Sequence, residues 1–173
     1  MQKLTKVSKI ILIINVLFLA LWLGGYVARH LVMYQLFDPE TQLLRTNYQI
    51  SSLPNVLITI LPLFVYNIIT YTVFIVTFIL FLFFSKIKLK YEGWLFIIML
   101  IVFICAPFEI FLLLKDYKIA VIINSGSFNP KDVVELIKER IEILNSFSLV
   151  EIFSYIGIIA LAVFRPLRKK YEN

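Results

Sequence analysis

The stretch LWLGGYVARHLVMY ends a long apolar run with Arg29 and the chain's only histidine, His30, side by side. An arginine in such surroundings asks for a carboxylate that can accept its fork, and an imidazole can carry a proton or ligate a metal. Two carboxylates lie within comparable apolar runs: Glu109 in FICAPFEIFLLLK and Glu151 in SFSLVEIFSYIG. A charged group at the middle of a membrane helix costs about 2.5–3.5 kcal/mol on insertion, so these residues are expected to face protein or water rather than lipid. Arg29, His30, Glu109 and Glu151 are therefore the candidate binding cluster. The chemistry open to them is an interhelical ion pair, or a polar site for a small ligand, a quinone or lipid head group, or a proton.

His30 with the two glutamates is the one candidate metal set, although its members come from three separate segments without local ligand spacing. A haem held by two histidines of this chain is impossible. The lone cysteine, Cys105, excludes an internal disulfide or a thiolate cluster. No nucleophile and base stand together, and the NSGS stretch at 124–127 follows no strand and carries no phosphate-binding lysine. These readings point away from an enzyme, and no residue pattern requires a cofactor.

The elements that must position the cluster follow from hydropathy. The chain has 173 residues, is 61% hydrophobic and has a mean hydropathy of +0.90, well above the ~45–50% apolar content of soluble domains. A bilayer crossing needs about 20 apolar residues. Four stretches qualify, at about 10–30, 56–84, 94–114 and 143–164, which gives an all-α, antiparallel four-helix membrane bundle forming one domain. The first is read as a retained helix, because its apolar run exceeds a signal core of about 7–15 residues and has no small-x-small cleavage site. The second is long; Pro54 sets its start near Asn55, Pro62 is a candidate kink, and 46–53 is a loop or interfacial stretch. Gly24 and Gly25 offer a close-packing surface, and the hydroxyls of Thr59, Tyr66, Thr70 and Thr77 are expected to bond across a helix interface.

Orientation follows from charge. Four crossings put both termini and the SKIKLKYEG loop on one side, with Lys3, Lys6, Lys9, Lys86, Lys88, Lys90, Arg165, Arg168, Lys169 and Lys170 against Glu92 and Glu172. That side carries +8 and the other −2, which together make the chain's +6. Basic clusters flanking apolar spans encode topology and argue against nucleic acid as a partner. The expectation is a multi-pass protein of the plasma (inner) membrane with both termini cytoplasmic and Trp94, Tyr48, Tyr91, Tyr117 and Tyr171 as interfacial anchors.

Depth then brings the four candidates together. Glu109 lies about 7–8 Å before the expected end of the third span at Leu114, and Glu151 about 12 Å into the fourth. Arg29 lies roughly 28 Å beyond Ile10, so all four reach the outer end of the bundle. Arg29 is expected to pair with Glu109 or Glu151, the carboxylates at matching height.

The outer connection before the last span also holds an amphipathic helix over about 130–145. Asn129 is its N-cap, Pro130 its first residue and Asp132 lies in its first turn, with Val133, Ile137, Ile141 and Leu144 on one face. It is expected to lie on the outer membrane surface or on a partner and to run into the fourth span. The composite expectation is a non-catalytic small subunit that packs into and stabilises a larger membrane complex, with membrane lipids and other membrane protein subunits as partners. The alternatives are a stand-alone binding or transport protein using the outer polar cluster, and a haem- or metal-binding redox subunit using His30.

Overall fold

A computed structural model describes residues 5–38, 41, 43–49, 51–87, 89–143 and 147–167. The fold is all-helical: 83% of the described residues lie in five helices, and none of the described residues forms a strand. The elements are α1 (Lys6–Leu36), α2 (Leu53–Ser85), α3 (Gly93–Asn124), α4 (Pro130–Ile143) and α5 (Phe147–Phe164). All but α4 are long and apolar enough to cross a membrane, so the chain is a multi-pass membrane protein.

The four long helices, α1, α2, α3 and α5, alternate in direction. At one end, Ser8 of α1 donates its hydroxyl to the Phe84 carbonyl of α2 at 2.9 Å, and Arg165 beyond α5 lies 5.6 Å from the Trp94 ring of α3. This is the terminal end. At the opposite end Met33 and Leu36 of α1, Leu57 and Ile60 of α2, and Ile119 and Ile123 of α3 form one apolar cluster with Val133 and Ile137 of α4. The amphipathic helix thus closes its own bundle. Its stripe of Val133, Ile137 and Arg140, spaced i, i+4, i+7, is buried there, which corrects the expectation that its apolar face rests on lipid or a partner. Asn129 caps the helix as expected, its Oδ1 accepting from the Lys131 amide at 3.1 Å. The junction at 144–146, through which α4 was expected to run into the last span, lies outside the described residues, as does Tyr171.

Three spans are longer than the sequence implied. α1, α2 and α3 have 31, 33 and 32 residues, about 46–50 Å at 1.5 Å per residue, whereas the hydrocarbon core is about 30 Å. α5, with 18 residues, is close to the core thickness. The other three therefore project beyond the hydrocarbon, and α3 runs ten residues past the expected end at Leu114. The charges of Lys115, Asp116 and Lys118 suggested a loop, but backbone hydrogen bonding continues through them and the apolar stripe resumes at Ile119, Ala120 and Ile123. α2 is one helix from Leu53, with Pro54 in its first turn and Pro62 inside it.

Close packing of α1 on α2 uses only one of the paired glycines. A Cβ on Gly25 would sit 2.5 Å from the Tyr66 ring, whereas one on Gly24 would meet nothing within 4 Å. The threonine hydroxyls of α2 mostly turn inward to their own helix: Thr59, Thr70 and Thr77 donate to the carbonyls of Asn55, Tyr66 and Val73. This corrects the expected cross-helix bonding for Thr59 and Thr70, since a β-hydroxyl in a helix reaches its own i−4 carbonyl more easily than a neighbour. Tyr66 and Thr77 do bond across to α1 as expected: Tyr66 Oη donates to the Leu21 carbonyl and Thr77 Oγ1 accepts from Asn15 Nδ2, which also donates to the Phe74 carbonyl.

Candidate functional site

The inward face of α1 sets the order of the site. Trp22, Tyr26, Arg29, His30 and Met33 follow i, i+4, i+7, i+8, i+11 and are all buried, so one helical stripe passes from aromatic to cationic to apolar. α3 presents Glu109 and Asp116, seven residues apart on one face, and α5 presents Ser148, Glu151 and Tyr155 at i, i+3, i+7. α4 adds Arg140 from above. Relative exposure is 0% for Arg29, Glu109, Asp116 and Glu151, 2% for Arg140 and 9% for His30.

Asp116 is the centre of the ionic network. One of its carboxylate oxygens, Oδ2, accepts from Nη1 of Arg29; the other, Oδ1, accepts from Nε of Arg140 at 2.8 Å, and Arg140 Nη2 reaches Oδ2 at 3.4 Å. Glu109 Oε1 stands 4.0 Å from Arg29 Nη2. The expected pairing of Arg29 with Glu109 is present as a 4.0 Å ion pair, but the hydrogen-bonded partner of Arg29 is Asp116, which the sequence did not single out, and no ion pair joins Arg29 to Glu151. A third span that ends at Leu114 leaves Asp116 beyond it, whereas α3 continues to Asn124 and carries Asp116 into the network.

Glu151 takes a different partner. The Tyr26 hydroxyl donates to its Oε2 at 3.1 Å, while its carboxyl lies beside that of Glu109. Among the described residues, both oxygens of Glu109 and Oε1 of Glu151 have no hydrogen-bond partner of good geometry, and neither do Nε and Nη2 of Arg29.

His30 is held at both nitrogens. Nδ1 faces the Tyr26 carbonyl at 2.8 Å, an acceptor only, so it carries the hydrogen. Nε2 then accepts, from Ser148 Oγ at 3.1 Å and from Arg140 Nη1 at 3.4 Å. These contacts assign a neutral ring used as a spacer between α1, α4 and α5. Among the described residues no group of three His, Cys, Asp or Glu side chains could hold a metal ion, so the His30 set with the two glutamates gains no geometric support. The free thiol Cys105 is buried in the apolar core.

Below the ionic layer lies an aromatic one. The Trp22 ring is 5.1 Å from Tyr26, 5.0 Å from Tyr71 and 4.6 Å from Tyr155, and the Tyr71 and Tyr155 hydroxyls are 3.1 Å apart. The Arg29 guanidinium lies 5.2 Å from the Tyr26 ring centre, which adds a cation–π contact. Aromatic rings therefore floor the network, and the cluster around Val133 and Ile137 roofs it.

All four sequence candidates, Arg29, His30, Glu109 and Glu151, enter this one network. Asp116, Arg140, Tyr26 and Ser148 were missed. Two signals could have found the charged pair: Asp116 stands seven residues from Glu109, on the same face, and Arg140 is seven from Val133, within the apolar stripe of α4. Arg140 matters for architecture too, because its bonds to Asp116 fasten α4 to α3, together with the exposed pair Lys115–Glu139 at 2.7 Å. That hydrogen bond from Lys115 holds the Glu139 carboxyl below its ordinary range. Searches against protein families, curated proteins and solved structures return no match, so the geometry of this network alone carries its functional reading.

Proposed function

We propose that this membrane protein binds and releases one proton at the Glu109–Glu151 pair, and that α4 is the element whose seating responds. The supporting observation is a charge imbalance inside a sealed space. Two guanidiniums, Arg29 and Arg140, share one buried network with three carboxylates, Asp116, Glu109 and Glu151, around a neutral His30. An uncompensated buried charge is costly, and one proton shared by two adjacent carboxyls brings the network to neutrality. It also gives the pair a donor for oxygens that otherwise lack a partner.

Release of that proton would strengthen the pull of Glu109 on Arg29, now 4.0 Å away, in competition with Asp116. Asp116 also anchors Arg140, so the change passes to α4 through two side chains. Exchange occurs at the α4 face: toward the terminal end the network meets the aromatic layer, and Asn15 below it is committed to Phe74 and Thr77. Charge asymmetry supports cytoplasmic termini and an outward α4 in the plasma (inner) membrane.

Infrared difference spectroscopy in vesicles tests the reading. A protonated-carboxyl stretch is expected at neutral pH, shifting in D2O and lost on titration; Glu109→Gln and Glu151→Gln should each alter or remove it. A band that is absent at every pH, or unchanged in both variants, refutes the proposal.

A second reading, an accessory subunit within a larger assembly, is favoured by how little of α5 and α1 the chain itself covers: 17% and 22% of their most apolar windows are buried, against 39% for α3. Its other argument, a free amphipathic helix, is weakened by the packing of α4 on its own bundle. Extraction in gentle detergent followed by size analysis separates the two, since a single 20.3 kDa chain in its micelle counts against an assembly.

A further inference from the structure

Between the aromatic layer and the terminal end, α1 and α5 part. Their links lie toward the α4 end, where Tyr26 bonds Glu151, His30 bonds Ser148 and Trp22 packs on Tyr155. Elsewhere the two helices scarcely meet among the described residues. The gap is a groove of about 370 Å³, floored by Leu19, Phe74, Phe78, Ile98, Val102 and Ile158. Val16 of α1 and Ile159 and Val163 of α5 form its exposed rim, so it opens sideways along the faces that meet lipid.

The mouth differs chemically from the floor. Arg165 lies there at the end of α5, its guanidinium 5.6 Å from the Trp94 ring centre and its Nε donating to the Ala162 carbonyl at 3.3 Å. Its two Nη groups have no hydrogen bond or ion pair with a described residue. Glu92, the acidic group at this mouth, is only 8% exposed and accepts from the Trp94 indole at 2.7 Å. An apolar trough capped by an exposed guanidinium matches a molecule with one long hydrocarbon arm and an anionic head. The same end of the bundle carries Lys6 and Lys9 in the first turns of α1 and Lys86 and Lys90 between α2 and α3, and positive segments gather anionic lipid within a Debye length.

We propose that this groove holds one hydrocarbon chain of an anionic phospholipid, with its phosphate against Arg165. The occupant is a lipid rather than a helix of a second copy because the trough deepens toward apolar residues of four different helices and, among the described residues that line it, the exposed cation Arg165 lies at one end. The site is separate from the Glu109–Glu151 pair, lying on the far side of the Trp22 layer.

Native mass spectrometry tests this with the full chain reconstituted in phosphatidylcholine vesicles with and without phosphatidylglycerol, then released into gentle detergent. One phosphatidylglycerol per chain is expected, retained about fivefold over phosphatidylcholine, the factor typical of one basic side chain acting on an anionic lipid surface. Arg165→Gln, at an exposed position, should erase that preference while a lipid chain is still retained. Ala162→Phe should fill the groove and reduce retention of both lipids to background; Ile159→Trp at the rim serves the same purpose where Ala162→Phe fails to fold. Equal phosphatidylglycerol retention by all of these proteins, retention of the two lipids without preference by the native chain, or a dimer of this chain in place of a lipid adduct overturns the proposal.

Discussion

Replacing Asp116 by asparagine isolates the charge at the centre of the network. The amide is nearly isosteric and keeps one acceptor oxygen, so packing against α1 and α4 is preserved. What disappears is the anion between Arg29 and Arg140, both at or below 2% exposure. Removing one member of a buried ion pair costs about 3–5 kcal/mol because the other charge is stranded. Here two cations are left facing each other, with Glu109 only at 4.0 Å from one of them, so the upper part of that range applies. For a chain of this length each kcal/mol corresponds to roughly 2–4 °C, and the melting temperature in detergent or nanodiscs should fall by about 10–20 °C. Circular dichroism at 222 nm follows the loss, with intrinsic fluorescence of Trp22 and Trp94 as a second probe. The decisive arm is Asp116→Asn combined with Arg140→Met. Removing the second guanidinium should return a substantial part of the loss, a coupling of about 1–3 kcal/mol. A loss below about 1 kcal/mol in Asp116→Asn, or a double variant that sums the two single losses, refutes the central role given to Asp116.

Further outcomes follow from neighbouring contacts. Gly25→Ala should cost about 1–3 kcal/mol, because its Cβ drives into the Tyr66 ring and threatens the Tyr66 bond to the Leu21 carbonyl, whereas Gly24→Ala should be neutral or stabilising by up to about 1 kcal/mol; chemical denaturation of both variants checks the contrast. Trp22→Ala should lose about 3–5 kcal/mol, since the indole is fully buried among three tyrosines, and the same melting assay reads it. The Lys115–Glu139 tie makes α4 acid-sensitive. The Glu139 carboxyl titrates below its ordinary value near ~4.3 when folded, so its contribution is present above that value and disappears as pH falls through the lowered one. Hydrogen exchange of α4 amides should accelerate over that acidic window in the native chain, and Glu139→Gln should remove the acid-dependent component.

The residues that were legible in the sequence share one property: their signal is local. Unbroken apolar runs gave four crossings, Asn129 and Pro130 gave the start of α4, and Arg29, His30, Glu109 and Glu151 stood out because ionisable groups in apolar runs are costly wherever the chain takes them. Asp116 and Arg140 were obscured for the same reason. Each stands among other charges, Lys115 and Lys118 around one, Glu139 and Glu142 around the other, and a cluster of charges reads as a solvated segment. Only helical phase distinguishes the inward-facing member of each cluster, and phase has consequences only when an opposing helix is present.

The amino-acid sequence by itself pointed to lipid as the solvent of this protein, to four helices long and apolar enough to cross a membrane, and to the convergence of four ionisable residues near one depth. The tertiary structure decided which carboxylate holds Arg29, that α4 closes its own bundle, and that α1 and α5 separate toward the terminal end to leave an apolar groove. Hydropathy and spacing act along one chain and fix where residues lie along the membrane normal. Pairing acts between helices distant in the chain, and it depends on the rotation and approach of each helix about its axis, which only packing sets.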